Sequence, residues 1–319
     1  MPCTRPAASI VSLMLISGCA AGPRPAPPAA TSVQIAPAPR SPEPEAAGDD
    51  ASGEVVLVWG STGDEPPRTW HVAAGGAVVR EEPGIVVATR RGEWRWEARE
   101  KQVETTACEL WDGETRGPGE GTAIDAELVL RGDGARQAVI TSPDQDEGNV
   151  FQHSAAVIGS VGPYLFIEER TYMDLCGAHG SETVAFTVWD AERGAVVDLL
   201  AAVPGVTALQ RAGEALLDEL EDDPAAARTS QDAPELVKLA PAYDARGALR
   251  LTAQLARFAC YACSDGAWTS YSRSAVVPVV RSPARLAAWA SPPPGVQEFL
   301  ARTPGVTLGG WSRAGQQDE

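Results

Sequence analysis

Glu93-Trp94-Arg95-Trp96-Glu97-Ala98-Arg99 is the stretch that decides the fold class, because apolar and charged residues alternate strictly along it. Side chains of a β-strand point alternately to opposite faces, so Trp94, Trp96 and Ala98 share one face and the charged residues share the other. One apolar and one charged face are typical of an antiparallel sheet that is solvated on one side. We expect the tryptophans to pack in a core, and the alternative is a sugar-binding platform.

Further β-prone runs, bounded by Gly, Pro or Asp, extend along the rest of the chain. They lie at 54–59, 77–79, 85–88, 126–130, 138–141, 164–172, 183–189, 195–200, 249–257 and 268–280. One amphipathic helix is predicted at 206–221, and shorter helices at 283–290 and 296–301. The apolar stripe of the helix at 206–221 consists of Leu209, Ala212, Leu216, Leu217 and Leu220. The sequence therefore predicts an α+β fold, mainly antiparallel β-sheet, with one inserted amphipathic helix and short C-terminal helices.

The N-terminus carries a short apolar run, 7–17, that ends in Ile16-Ser17-Gly18-Cys19. A run of this length is typical of a signal peptide and is too short to span a bilayer. The four residues resemble the lipobox of bacterial lipoproteins. This resemblance implies that residues 1–18 are removed and that Cys19 is acylated, so that the acyl chains attach the protein to a membrane. Ala20 after the cysteine favours the outer membrane in that family. The alternative is an ordinary secretory signal cleaved near Ala20-Ala21.

Residues 19–53 are rich in proline and alanine and contain almost no large apolar side chains. Such a segment buries too little surface to offset its ordering entropy, so we expect a disordered tether. The remaining chain divides into an N-terminal β-rich part at 54–150, a C-terminal α+β part at 151–303 and a frayed tail at 304–319.

The net charge of −17 opposes binding to nucleic acid phosphates, so no nucleic acid partner is expected. Common catalytic signatures, including GxSxG, HExxH and the phosphate-binding glycine patterns, are absent from the sequence. The three histidines, His71, His153 and His179, stand alone in the sequence, where a structural role is more common than a catalytic one. These observations disfavour an enzyme without deciding the question, and they indicate no cofactor.

Four cysteines remain after Cys3 and Cys19 are set aside, namely Cys108, Cys176, Cys260 and Cys263. An even number in an exported chain indicates two disulfides. Cys260 can pair with Cys263 across a turn, which leaves Cys108 for Cys176. In the other arrangement Cys176 pairs with one member of the Cys-x-x-Cys motif and Cys108 with the other.

Two alternatives compete for these cysteines. Cys176, His179, Cys260 and Cys263 have a spacing compatible with a closed tetrahedral zinc site. Cys260-Tyr-Ala-Cys263 is also the spacing of a redox-active dithiol, although it lies in a β-prone segment rather than at the N-terminus of a helix. An oxidising compartment favours disulfides over both, so no metal is predicted.

A longer pattern begins at Cys176-Gly-Ala-His-Gly180, which follows a tyrosine-rich strand. Then come Trp189-Asp190, Arg193-Gly194, the segments 197–200 and 243–249, and Val277-Pro278. Over about 155–281 the chain resembles the extracellular domain of the lysozyme-sensing anti-sigma factor RsiV, which is also appended to some peptidoglycan deacetylases. Cys176 stands where that family has glycine. The resemblance implies a turn at 177–180 and binding at an exposed surface rather than catalysis.

Together these features predict a lipid-anchored protein of the bacterial cell envelope with a soluble binding or structural domain. Its expected partners are the membrane, through the acyl chains of Cys19, and an envelope protein or a cell-wall glycan. The alternatives are a cell-wall or glycan-processing enzyme with a carboxylate site, and a zinc or thiol site protein.

Overall fold

The fold is dominated by β-strands, which occur along almost the whole described part of the sequence. The computed structural model describes residues 54–110, 112–143, 145–146, 150–177, 179–219 and 233–313, all within one compact unit at Asp49–Glu319. The predicted signal peptide, Cys19 and the tether lie outside the described residues. None of the helices in the described ranges combines the length and apolar character that crossing a membrane requires.

The strands and helices follow one another in this order. The first half contains β1 (Val55–Thr62), β2 (Arg68–Ala73), β3 (Val78–Pro83), β4 (Val86–Thr89), β5 (Gly92–Gln102), β6 (Glu104–Thr105), β7 (Cys108–Glu109), β8 (Thr115–Arg116), β9 (Glu120–Leu130), β10 (Arg136–Ile140) and β11 (Gln145–Asp146). The second half contains β12 (Val150–Val161), β13 (Tyr164–Asp174), β14 (Ser181–Asp190), β15 (Ala195–Val196), α1 (Val206–Glu219), β16 (Glu235–Tyr243), β17 (Leu249–Phe258), β18 (Ser272–Pro278), α2 (Pro294–Arg302) and β19 (Val306–Arg313). Short 3-10 helices lie at Tyr261–Cys263 and Ala284–Trp289.

An eight-stranded sheet forms the centre of the fold, with the order β15-β14-β13-β12-β9-β5-β4 and with β10 paired to β9. A second sheet has the order β19-β1-β2-β3, and a third has the order β16-β17-β18. The pairings are antiparallel except for β9 with β12 and β6 with β11. The predicted parts 54–150 and 151–303 both supply strands to the central sheet, so the described residues form a β-dominated α+β fold.

The apolar face of β5 is buried only where the strand begins. Trp94 is fully buried, and its indole N–H donates to the Thr89 Oγ1 at 3.0 Å, whereas Trp96 is half-buried and Ala98 is exposed. Trp94 packs with Leu128 and Leu130 of the neighbouring strand. A sugar-binding platform at Trp94 is therefore wrong, because no face of its ring is accessible.

Helix α1 buries a narrower stripe than the sequence pattern indicates. Leu209, Gly213 and Leu217 are buried, whereas Ala212 and Leu216 are exposed. Gly213 lies against Leu255 of β17, where the missing side chain lets the helix approach the three-stranded sheet closely. Residues 220 and 221 of the predicted helix lie outside the described residues.

The frayed tail predicted at 304–319 is wrong over Val306–Arg313, which forms β19 and pairs with β1. Trp311 is fully buried and packs with Trp70 and Phe299. Glycine usually weakens a strand, but the Gly309–Gly310 pair lets the backbone of β19 lie against the central sheet. Residues 314–319 lie outside the described part of the chain.

Candidate functional site

Two disulfides hold the loops that carry the cysteine motifs. Cys108 of β7 is bonded to Cys176 in the loop between β13 and β14, and Cys260 is bonded to Cys263. This is the first of the two pairings considered from the sequence. Cys176 is buried and has a φ of 59°, a left-handed conformation that glycine adopts more easily than other residues. The carboxylate of Asp174 accepts a hydrogen bond from the N–H of Cys176 at 2.9 Å and stabilises this turn.

The structure brings His179 close to the Cys260–Cys263 motif, as the zinc alternative requires, but it does not form a zinc site. The imidazole of His179 stacks on the ring of Tyr261, which lies between Cys260 and Cys263. The sulfur atoms of Cys176, Cys260 and Cys263 are all in disulfides, however, and a disulfide sulfur is not the thiolate that zinc binds. The zinc and dithiol alternatives therefore do not describe this state of the protein.

What these loops form is an exposed group of rings, which we call the aromatic surface: Phe258, Tyr261, Tyr271 and His179. The imidazole and the Tyr261 ring are stacked, with centroids 3.5 Å apart and an interplanar angle of 15°. Tyr271 is next to both of them, at 6.0 Å and 5.8 Å, and lies parallel to Phe258 at 6.4 Å. Phe258 is 65% exposed, Tyr261 45% and Tyr271 37%. Large apolar side chains in contact with one another and with water are a mark of an interaction site.

The backbone beneath the aromatic surface is tied down by short-range and long-range bonds. The N–H of Ser270 donates to the carbonyl of Glu182 at 2.9 Å, and the N–H of Glu182 donates to the Ser270 hydroxyl at 2.7 Å. The Ser264 hydroxyl reaches the carbonyl groups of Thr269 and Ser272 at 2.9 and 2.8 Å. The rings are therefore presented by ordered turns, which lowers the entropy lost when a partner binds.

A cleft of about 510 Å³ opens beside the aromatic surface and shares Phe258 and Tyr271 with it. Trp268 adds a third ring, and Glu235 adds a carboxylate at the rim. The guanidinium of Arg257 lies 3.0 Å from the carboxylate of Asp218 on α1, so its charge is compensated within the chain. The surface and the cleft together offer apolar area with a polar border, the usual composition of a binding site.

A second cluster joins His71, Glu82 and Glu93, whose potential ligand atoms all lie within 4.8 Å of one another. The His71 Nε2 is 2.8 Å from a Glu82 oxygen, and its Nδ1 is 3.6 Å from a Glu93 oxygen. Arg131 contacts both carboxylates, and Arg80 contacts Glu82. Two guanidinium charges beside these carboxylates oppose a metal cation. We interpret this cluster as an ion network that connects β2 and β3 of one sheet to β5 of the other.

The third histidine, His153, lies in a chain of polar contacts that resembles a catalytic triad. The Ser142 Oγ is 2.8 Å from its Nδ1, and a carboxylate oxygen of Glu169 is 3.3 Å from its Nε2. Ser142 is buried and donates to the carbonyl of Ile124, and it does not line the cleft that His153 borders. A substrate in that cleft would not meet the hydroxyl.

Asp125 completes this polar chain. Its carboxylate accepts the backbone N–H of Ser142 at 2.8 Å and lies 3.2 Å from the ammonium of Lys101. Burial by itself would raise the pKa of Asp125, but the Ser142 hydrogen bond and Lys101 outweigh it, so the pKa is lowered. Lys101 also donates to the Ser142 carbonyl. These bonds position the Ser142 turn and serve a structural purpose.

A wide groove of about 860 Å³ lies between β1, β12, β16 and β19. Trp59 and Tyr243 line it, yet the indole N–H of Trp59 donates to the Ser160 hydroxyl at 2.7 Å, and the Tyr243 hydroxyl donates to the Ser160 carbonyl. Burial raises the pKa of Tyr243, which therefore stays neutral. Because the polar atoms of both rings are used inside the fold, the aromatic surface is the better candidate site.

Sequence reasoning identified His179 and the cysteines but missed Phe258, Trp268 and Tyr271. A usable signal was present, because aromatic residues are concentrated between 258 and 271 around the Cys-x-x-Cys motif. Their exposure could not be inferred, since a β-prone segment buries alternate residues and the buried face was unknown.

Two of the three comparisons with known proteins find no match to this chain. No protein-family model matches it. No curated protein matches it either. Among solved structures it is similar to a DUF3298 family protein from Pseudomonas aeruginosa PAO1, with 13% sequence identity and a TM-score of 0.34, over 65% of this chain and 98% of that chain. This neighbour is distant, and none of the site residues described above is inferred from it.

Proposed function

We propose that this chain is a lipid-anchored protein of the bacterial envelope whose folded domain binds a partner protein through the aromatic surface. The observation that carries the binding proposal is the exposure of Phe258, Tyr261 and Tyr271 on ordered turns, with the Tyr271 ring next to each of the other two. Tyrosine and other aromatic residues dominate the centres of protein interfaces, because they bury large areas at a low entropic cost.

A protein partner is favoured over a glycan by an exposed aliphatic side chain in the loop that carries His179. Leu175, which is 52% exposed, belongs to the same loop as His179, and Phe258 has no polar atom that could bond a sugar hydroxyl. Removing a large apolar side chain from water is favourable by about 1.5–3 kcal/mol, part of which is offset by the entropy lost on association. A cell-wall glycan would use the aromatic faces but not the leucine.

The anchor is proposed from the lipobox resemblance at Ile16-Ser17-Gly18-Cys19 and from the proline-rich segment that follows it. Several acyl chains on one cysteine hold a protein durably, because each buried methylene contributes about 0.8 kcal/mol. We propose the outer membrane as its location, on the basis of Ala20.

Replacing Cys19 by serine is expected to abolish the incorporation of labelled palmitate and to release the chain from the membrane fraction, because the acylated thiol is lost. The matched control is Cys3→Ser, which changes a cysteine of the predicted signal peptide and is expected to leave labelling unchanged. Palmitate-labelled, membrane-bound Cys19→Ser protein would contradict the anchor proposal.

A photo-crosslinking residue placed at Phe258 or Tyr261 in living cells is expected to give a discrete adduct with one envelope protein. The control position is Val196, which is 64% exposed on β15 and lies outside the aromatic surface. With the crosslinker at Phe258, the additional change Tyr271→Ala is expected to reduce the adduct at least about tenfold, the effect of an interface hot spot.

Two results would overturn the protein-binding proposal. One is equal crosslinking from the Phe258 and Val196 positions, which would mean that contact there is non-specific. The other is binding of soluble cell-wall fragments that is lost in Tyr261→Ala, which would make the surface a glycan site.

A further inference from the structure

A small cleft on another part of the molecule concentrates positive charge on a chain whose net charge is −17. It has a volume of about 160 Å³, which suits a group the size of a phosphate rather than a large ligand. Its charged lining comprises Arg90, Arg193, Arg285, Arg313, Asp190 and Glu192. These residues come from the β4–β5 turn, the β14–β15 turn, the 3-10 helix Ala284–Trp289 and the end of β19.

Two of the four guanidinium groups are held by the acidic residues of the cleft. Arg90 donates to Glu192 through both its backbone N–H and its Nε, at 2.9 and 3.0 Å. The Nε of Arg193 is 3.7 Å from an oxygen of Asp190. Asp190 is buried and uses its other oxygen to accept the backbone N–H groups of the turn. Both carboxylates are therefore engaged in fixing the walls of the cleft.

The other two guanidinium groups retain unused donors. Arg285 is exposed and interacts with the hydroxyl of Tyr164, and among the described residues it has no carboxylate within salt-bridge distance. One terminal nitrogen of Arg313 is 3.2 Å from Glu54, but its Nε is buried without a hydrogen-bond acceptor. Buried donors are almost always paired in folded proteins, so an unpaired one calls for an explanation.

Tyr164 also lines the cleft, and charges of both signs act on its hydroxyl. Burial and the carboxylate of Asp190 raise the pKa of Tyr164, whereas Arg285 and Arg193 lower it, and the net shift is upward. The phenol therefore stays protonated at neutral pH and can donate a hydrogen bond to a negatively charged group.

We propose that this cleft binds a phosphate group, either free or as part of a larger molecule. Guanidinium groups bind phosphate oxygens with strong charge-assisted hydrogen bonds and can do so in pairs. Arg285 is an accessible donor, and so is Arg193, because its contact with Asp190 uses only the Nε and its side chain is 67% exposed. Arg313 adds a further positive charge to the lining of the cleft. This inference is independent of the aromatic surface, because the two sites share no residue.

Titration calorimetry of the purified protein with inorganic phosphate at low salt tests the proposal. The wild-type chain is expected to bind phosphate, and Arg285→Gln is expected to weaken binding at least about tenfold, the effect of losing a charge-assisted hydrogen bond. The matched control is Arg302→Gln, because Arg302 is also an exposed arginine, at 60%, whose partner Glu298 lies outside the cleft. Circular dichroism of each variant verifies that it is folded.

A second arm separates the two sources of the phosphate group. Vesicles that contain phosphatidic acid are compared with vesicles of phosphatidylcholine alone, because only the former expose a phosphate monoester. Binding of free phosphate, or of phosphatidic acid vesicles alone, in an Arg285-dependent manner supports the proposal and identifies the source. Absence of binding in both arms, or equal binding by Arg285→Gln and Arg302→Gln, overturns it.

Discussion

Replacing Gly310 by alanine is expected to destabilise the domain by about 3 kcal/mol, the upper part of the usual range for overpacking. A destabilisation of this size corresponds to a fall in the melting temperature of roughly 6–12 °C for a domain of this length. A Cβ atom at this position would lie 1.9 Å from the Ser160 hydroxyl and 2.6 Å from the Ser160 carbonyl oxygen. The hydroxyl could rotate away, but the carbonyl belongs to the backbone of β12 and cannot.

The same clash would disturb the hydrogen bonds that join three elements at this point. Trp59 of β1 donates to the Ser160 hydroxyl, and Tyr243 of β16 donates to the Ser160 carbonyl. A shift of β12 away from β19 therefore weakens both bonds, and it uncovers Trp311. Because these contacts are coupled, a single methyl group is expected to cost more than its volume indicates.

Differential scanning calorimetry of Gly310→Ala beside Gly117→Ala measures the effect. Gly117 has no atom within 4 Å of an added Cβ and has no positive φ, so the control isolates the backbone entropy change between glycine and alanine. The packing argument fails if the two variants melt at the same temperature.

Replacing Glu82 by glutamine is expected to lower the free energy of unfolding by about 3 kcal/mol, the low end of the effect of breaking a buried ion pair. The Glu82 side chain is only 11% exposed, and its carboxylate contacts His71, Arg80 and Arg131. Glutamine has nearly the same volume, so no cavity forms and the loss is electrostatic. The variant leaves Arg131 with Glu93 alone.

The neighbouring residue provides the control, because Glu81 lies on the same strand and faces away from the network. Its partner is Arg68, and both side chains are substantially exposed, at 40% and 51%. Exposed pairs are screened by water and contribute little, so Glu81→Gln is expected to leave the urea midpoint unchanged. The urea midpoints are measured by tryptophan fluorescence. Equal midpoints for the two variants would show that the network between the sheets contributes nothing to stability.

Strands with strong local patterns were predictable from the sequence. The runs at 93–99, 164–172, 183–189 and 249–257 lie within or nearly coincide with β5, β13, β14 and β17. Each of these strands is rich in aromatic or β-branched residues, or alternates strictly, so that the residues themselves favour extended backbone. At 195–200 only Ala195–Val196 pairs as a strand, because the chain turns towards α1 after the hairpin.

Several strands that sequence reasoning missed, among them β12, β16 and β19, depend on pairing with neighbouring strands more than on local sequence; β2 was missed as well. β12 has small and polar residues in its middle and carries Gly159, yet it lies between β9 and β13 in the central sheet. β16 contains Pro241, which sequence rules assign to an edge, and it is an edge strand. β19 contains two glycines, which allow its backbone to lie close to Trp59 and Ser160.

By itself the sequence determined the features that depend on neighbours along the chain. These are the β-dominated class, the even set of cysteines at Cys108, Cys176, Cys260 and Cys263, and the expectation of a lipidated Cys19 followed by a tether. Such features follow from periodicity, from residue chemistry and from short motifs, all of which are local.

Only the tertiary structure decided what depends on residues far apart in the chain. In the folded chain His179 stacks on Tyr261, and four arginines line one cleft. Part of the segment predicted as a frayed tail forms β19 and pairs with β1. Strand order and exposure are set by which faces are buried against which partners, and that choice is made by long-range packing rather than by local preference. Both proposed binding sites belong to this second group, because each is assembled from loops that meet only in the folded chain.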